Sequence, residues 1–271
     1  MMRAMDRVVV FDIETVPDLV AGRALLGEQA DGLDDAALRE RLGARYAREG
    51  QDPATAFLKV PLHAVACLAL LVAEREGADE PWRVRRLAAR HTGDTPEAEI
   101  LALFERTLAG RPAPILAGFN TSGFDLPVLR YRAMATGVPM PALHGANGRN
   151  YGYRYGTDHL DLADRLSGFR ASPMPSLTEA AALIGLTAKA GMHGAEVEPA
   201  MAAGRGAEVA TYCETDVCAT WMVLLRFWQA MGAVGPDAAR GSFRAFAEFL
   251  EEHRAEPDFA EHAEVAARLG G

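Results

Sequence analysis

The sequence is short of several things, and each shortage excludes a class of protein. It has three cysteines, Cys67, Cys213 and Cys218, an odd number with no second pair to complete a zinc-like spacing. A disulfide scaffold is therefore excluded, and reduced, mostly buried thiols in the cytoplasm are expected. Long apolar runs are missing too. The longest, Ala64 to Ala73, has ten residues, where a spanning helix needs about 20. The start offers only Val8 to Phe11 before Asp12 intervenes, too brief for a signal-peptide core, so no membrane segment is expected. Positive charge is scarce: 28 Lys and Arg face 37 Asp and Glu, a formal net charge of −9. A domain gripping duplex DNA mainly by neutralising phosphates would lean basic. No internal repeat or low-complexity tract is evident.

What is present is ordinary globular material, 49% hydrophobic and 24% charged, enough for a sizeable core and too much for a disordered chain. At roughly 150 residues per domain, the 271 residues make one large domain or a domain with an appendage. Val8 to Thr15 is a β-branched run that reads as a buried strand. From Asp18 to about Lys59, Ala-, Arg- and Glu-rich sequence predicts one or two inserted surface helices. Leu62–Val72 and Trp82–Ala88 fit two further strands of an antiparallel meander. A helix is expected after Thr95 as N-cap, with Pro96 in its first position and Gly110 closing it. Pro114–Phe119 is a short strand, followed by the loop Asn120–Gly123 and a helix from Phe124 to Ala135 with a stripe of Leu126, Leu129 and Met134. Pro139–Thr157 has no period and reads as a long functional loop. Helices follow at Leu160–Leu166, Leu177–Ile184 and Glu208–Gln229, then one amphipathic helix carrying Phe243, Phe246, Phe249 and Leu250 and a loosely ordered end.

The chemistry-bearing residues fall in three segments. Asp12 and Glu14 sit two apart on the first strand, so both carboxylates point to one face. Ionised carboxylates near an apolar core are costly unless paired, so the pair asks for a cation; alone it is equally a strand terminus capping a loop. Asn120 to Asp125 places an acid at a helix start, where the helix dipole alone would favour it. Tyr212 and Asp216, at i and i+4, share one helix face. A competing cluster, His159-Leu160-Asp161 with Asp164, could bind zinc but more often fixes a helix start. Arg149-Asn150-Tyr151-Gly152-Tyr153-Arg154-Tyr155 interleaves cations with aromatics, as a single-strand contact would, or is an exposed loop whose tyrosines pack on the core. Arg130-Tyr131-Arg132 reads as a solvated helix face, and Lys189 as a loop lysine able to reach a phosphate.

Taken in order, Phe-Asp12-Ile-Glu14-Thr, Asn120-x-x-x-Phe-Asp125 and Tyr212-x-x-x-Asp216 resemble the three motifs of the DEDD superfamily of 3′-5′ exonucleases, in its tyrosine subclass. The wording is most similar to the proofreading exonuclease of family-B DNA polymerases and its stand-alone bacterial relatives. The resemblance covers about residues 7 to 230. It implies a ribonuclease H-like α/β fold, with helices flanking a mixed central sheet that carries the site at its edge. The expected organisation is an exonuclease domain over 1–235, with the helical insertion at about 18–59, and a helical extension over 236–271 that the resemblance does not reach. It implies two divalent ions, Mg²⁺ or Mn²⁺, held by Asp12, Glu14, Asp125 and Asp216, with Asp12 bridging both, Glu14 and Asp216 serving the water-activating ion and Asp125 the other. Tyr212 would orient the attacking water. Asn120 and Phe124 sit where the family contacts terminal nucleotides, with Thr15 and Val16 beside the metals.

The expected activity is removal of nucleotides from single-stranded 3′ ends, DNA favoured, with any proofreading polymerase or repair factor a separate partner. The rivals are a 3′-5′ exoribonuclease of the ribonuclease D kind and a catalytically silent nucleic-acid-binding domain.

Overall fold

The computed structural model describes residues 6–187 and 192–271. Five strands form one sheet in the order β3-β2-β1-β4-β5. The central strand is β1 (Asp6–Pro17), flanked by β2 (His63–Arg75), which also pairs with β3 (Arg83–His91); both pairings are antiparallel. On its other side β1 runs parallel to β4 (Ile115–Gly118), which runs parallel to β5 (His159–Asp161). The sheet is thus mixed, and the meander expected from residues 62–88 is there.

Alternation along β1 divides the core. Val9, Phe11 and Ile13 pack in one layer with α3 (Glu97–Leu108) and α4 (Asp125–Thr136). Val8 and Val10 face the other layer, built on α8 (Gly206–Ala230), α9 (Pro236–His253) and α10 (Pro257–Gly270). That second layer holds all three tryptophans. Trp82 stacks on Trp228 at 5.2 Å between ring centroids, and Trp221 meets both edge-on at 6.3 Å. The inserted segment forms α1 (Leu19–Leu26) and α2 (Asp35–Gly43), capped by the carboxylates of Asp18 and Asp34, around a small core of its own that includes Leu26, Leu38, Leu42 and Leu58.

Several elements depart from expectation. Thr95 is not the N-cap of α3: Pro96 holds that position, and the Thr95 hydroxyl donates to Asp94. Residues 160–166 are not one helix. Parallel pairing with β4 draws His159–Asp161 into the sheet, and only α5 (Leu162–Leu166) is helical. α6 (Leu177–Ala182) begins with a full capping box from Ser176 and Glu179. α7 (Gly194–Ala202) was not legible, since its sequence lacks apolar period and carries Pro199 inside. The tail from 254 is not loose: α10 packs on α9, burying Phe259, Val265 and Ala266. Met134 points to solvent, 77% exposed, and α4 instead buries Leu126, Val128, Leu129 and Arg132. Among the described residues, no helix is long and apolar enough to cross a membrane.

Candidate active site

Two devices at the carboxyl end of β1 set the site. On the face already occupied by Val8 and Val10, the alternation delivers Asp12 and Glu14 toward α8. Immediately after Glu14 the register with β2 slips: Glu14 pairs with Cys67 but Thr15 with Val65, so Ala66 is an extra residue, a bulge. The Ala66 carbonyl accepts from the Thr92 backbone N–H at 2.8 Å and from its hydroxyl at 3.3 Å. Bulges re-aim side chains beside functional sites, and here the strand bends just where its acids end.

Three distant segments meet at this point. α8 brings Tyr212, Cys213 and Asp216, with the Tyr212 hydroxyl hydrogen-bonded to the Asp216 carboxylate. α4 brings Asp125, which arrives from the opposite layer and accepts from the Ile13 backbone N–H at 3.2 Å. The site therefore sits at the end of the central strand, not at a lateral strand of the sheet. Asp12 is the focus of the electrostatics. Burial, then Asp125, Glu14 and Asp216, hold its carboxyl well above the usual range. Burial likewise pushes Asp125 up to about 7, against the lowering effect of backbone N–H groups. Burial and the neighbouring carboxylates raise the Tyr212 phenol, which stays protonated as a donor.

Cys213 was not singled out by the sequence reading. Its thiol reaches the Asp12 carboxylate at 3.4 Å, and ligand atoms of Asp12, Glu14 and Cys213 lie within 4.8 Å of one another. None of the three cysteines forms a disulfide, and all are buried. Mutually repelling carboxylates gathered at a half-buried site are what a bound cation neutralises, and the preponderance of hard oxygen donors suits a divalent ion of the Mg²⁺ or Mn²⁺ type.

The loop Asn120–Gly123 is held rigidly. Asp161 accepts from Asn120 N and Ser122 N, each at 2.8 Å, and caps α5; His159 meets the Thr121 hydroxyl at 2.9 Å. Gly118 is required by space, because a Cβ there would lie 2.3 Å from the Thr121 methyl. The His159/Asp161 pair is thus framework, not a rival metal cluster. A second clamp corrects the solvated-face expectation for residues 130–132: Arg132 is buried, pairs with both oxygens of Glu97 at 2.7 Å, and pairs with Asp18 at the end of β1.

Beside Glu14 and Thr15 opens a cleft of about 620 Å³, between the insertion and α7. Phe57, 66% exposed, lies 5.5 Å from Phe124 and 4.8 Å from His63, ring centroid to centroid. Thr15 bonds His63 Nδ1 at 2.9 Å, and burial lowers the His63 pKa, leaving the imidazole neutral. Phe57 and Arg39, from the insertion, and His63, at the start of β2, were missed because only tertiary folding brings them to the cleft. Of the anticipated substrate contacts, Thr15 and Phe124 line this cleft. Val16 packs on the core, and Asn120, with a left-handed φ of 60°, shapes the loop before Asp125.

The Arg149–Tyr155 loop divides. Tyr151 is buried, its hydroxyl donating to Pro114 O, and Arg149 pairs with Asp158 and bonds Ala113 O. Neither is presented to the acids. Tyr153 and Tyr155 are exposed, and Arg154 grips Asp164. Lys189 lies outside the described residues.

Three comparisons with known proteins bear on this arrangement. A family model described as a predicted 3′-5′ exonuclease related to the exonuclease domain of PolB matches residues 55–266, a span that holds the second and third motifs but begins after Asp12 and Glu14. No curated protein matches. Among solved structures, the chain is similar to the family B DNA polymerase from the hyperthermophilic archaeon Pyrobaculum calidifontis, at 20% identity and a TM-score of 0.48. That similarity covers 96% of this chain and 27% of the polymerase chain.

Proposed function

Because the chain belongs to the family of predicted 3′-5′ exonucleases related to the exonuclease domain of PolB, we propose that it is a metal-dependent enzyme removing nucleotides from single-stranded 3′ ends, with DNA as the favoured substrate. The observation that carries the reading is the convergence of four carboxylates and a protonated phenol from three segments on one end of β1, beside an aromatic-lined cleft. Asp12, Glu14, Asp125 and Asp216 would hold two divalent ions. Bound there, such ions supply Lewis acidity, easing deprotonation of water and neutralising charge at the scissile phosphate and departing 3′ oxygen.

The chain's own residues have separate tasks. Tyr212, whose raised-pKa hydroxyl stays protonated on the Asp216 carboxylate, positions water beside Glu14 and Asp216 through the phenol oxygen, which is left to accept. The neutral His63 and Thr15 fix the cleft wall, and Phe57 and Phe124 offer faces for unstacked bases. A cleft of about 620 Å³ lies within the roughly 300–1,000 Å³ range of small-ligand sites, which suits a terminal nucleotide. The formal charge of −9 fits local grip on a frayed end better than salt-dependent holding of duplex. The exonuclease domain would span 1–235, with a helical extension over 236–271 that packs into the same core.

The deciding assay compares 3′- and 5′-labelled single-stranded DNA, duplex DNA and RNA, with Mg²⁺, Mn²⁺ or EDTA. Mononucleotide release from the 3′ label first, and only with metal, is expected; a 5′-labelled product released first would overturn the polarity. Phe57→Ala should raise KM for single-stranded substrate about 5- to 150-fold, from the ~1–3 kcal/mol of one base–aromatic stack, with kcat changing less. An unaltered KM would remove Phe57 from the binding surface.

A further inference from the structure

Beside the Asn120–Gly123 loop lies a second recess, of about 230 Å³, lined by Ser122, Gly123, Arg130, Arg154, His159 and Arg170 among others and by none of the four candidate metal-binding acids. Its charge is unusual for a chain at −9. Three guanidinium groups face one carboxylate, Asp164, while burial pushes His159 down to about 4 and leaves it neutral. Arg154 occupies both oxygens of Asp164 at 2.6 Å; Arg170 approaches that carboxylate only at 3.9 Å. Arg130 has no hydrogen-bond or ion-pair partner among the described residues.

Two glycines keep the recess open. A Cβ on Gly152 would lie 3.3 Å from an Arg130 guanidinium nitrogen, and one on Gly123 would lie 3.3 Å from an Arg170 nitrogen. Phe169 and Arg170 both hold left-handed backbone, φ 59° and 73°, conformations that non-glycine residues adopt at a cost. That turn brings Arg170 back over the recess. The volume is below the roughly 300–1,000 Å³ of whole-ligand sites, so it admits a phosphate and part of its sugar and no complete nucleotide. Guanidinium forks match phosphate oxygens in pairs.

We propose that this recess, walled by Arg130, Arg154 and Arg170, is a phosphate-binding subsite separate from the acid cluster, taking one phosphate group of a nucleotide or nucleic-acid strand. It rests on the proposed nuclease activity only for what carries the phosphate. Because Ser122 and Gly123 form its wall and Asp125 follows in the chain, a phosphate seated there lies one loop away from the acids.

The test is calorimetric titration of the metal-free full-length protein in EDTA at low salt. The probes are inorganic phosphate, thymidine 5′-monophosphate, and a short single-stranded thymidine oligonucleotide without terminal phosphates. Saturable binding is expected in at least one arm, weakened tenfold or more by Arg130→Gln and, as an independent variant at an exposed position, by Arg170→Gln. Preference for the first two probes assigns a terminal phosphate, and preference for the oligonucleotide an internal one. No saturable binding of any probe, or wild-type binding by both variants with unaltered thermal melts, would overturn the proposal. Since EDTA silences metal chemistry, the result stands apart from whether the protein proves to be a nuclease.

Discussion

Asp12→Asn should abolish metal-dependent hydrolysis while making the metal-free protein more stable at pH 8. The loss should be about 10³-fold or more, because several kcal/mol of transition-state charge stabilisation pass through the ions that this carboxylate would hold. The gain follows from the same residue's surroundings. Asp12 is half-buried against Asp125, Glu14 and Asp216, and its carboxyl is held well above its ordinary value. A carboxyl raised in the folded state binds protons that the unfolded chain has already released. Its favourable contribution is complete below the unfolded value near 4 and is lost as pH rises through the folded value. For Asp125, pushed up to about 7, the corresponding loss runs between about pH 4 and 7. Wild-type protein in EDTA should therefore melt lower at pH 8 than at pH 5 as far as this cluster is concerned. Asp12→Asn should narrow the gap, raising Tm at pH 8 by at least ~2 °C, about 1 kcal/mol for a chain of this size. Mg²⁺ or Mn²⁺ should stabilise the wild type by about 2.7 kcal/mol at a hundred times Kd, raising its Tm, and should raise the variant's far less. Calorimetric melts at the two pH values, with and without metal, check each arm. A variant less stable than wild type in EDTA at pH 8 would mean that the carboxylates are not in conflict.

Phe246→Ala should destabilise the protein by about 3–5 kcal/mol, the range for emptying a fully buried phenylalanine site, and lower Tm by roughly 10 °C. Phe243, Phe246 and Leu250 of α9 are completely buried, in the same cluster as Val8 and Val10 of β1 and Trp221 of α8. The ion pair of Arg254 with Glu214, at 3.1 Å, joins the end of α9 to α8, and Arg254 also bonds Leu87 O of β3. If residues 236–271 were a detachable appendage, the substitution would leave the Tm of the main transition unchanged; a single lowered transition is the expected result. Urea denaturation followed by circular dichroism gives the magnitude.

The sequence made legible what short-range periodicity encodes. The spacing of Asp12 and Glu14 is that of a strand face and the spacing of Tyr212 and Asp216 that of a helix face, and the structure has both on those elements. The layers were readable in outline for the same reason. What could not be read depends on contacts far apart in the chain. β5 exists because three residues pair with β4, against a local pattern that favours helix. Arg132 looks like a surface residue until Glu97, 35 positions earlier, and Asp18, 114 earlier, are folded around it. Phe57 carries no motif, and only the packing of the insertion brings it to Phe124. Tyr151, read as a base-stacking candidate, is instead satisfied internally by Pro114 O, a partner 37 residues away.

The gathering of Trp82, Trp221 and Trp228 on one side of the sheet has a spectroscopic consequence. All indole emission originates within a single patch beside α8, while the small core of the insertion, around Leu38 and Leu42, contains no tryptophan. Intrinsic fluorescence will therefore follow the α8 side of the molecule and stay silent if residues 19–58 melt first. That early event would be seen by amide exchange or by proteolysis near Phe57, and a two-probe comparison would reveal whether the cleft wall opens while the scaffold beneath it is intact.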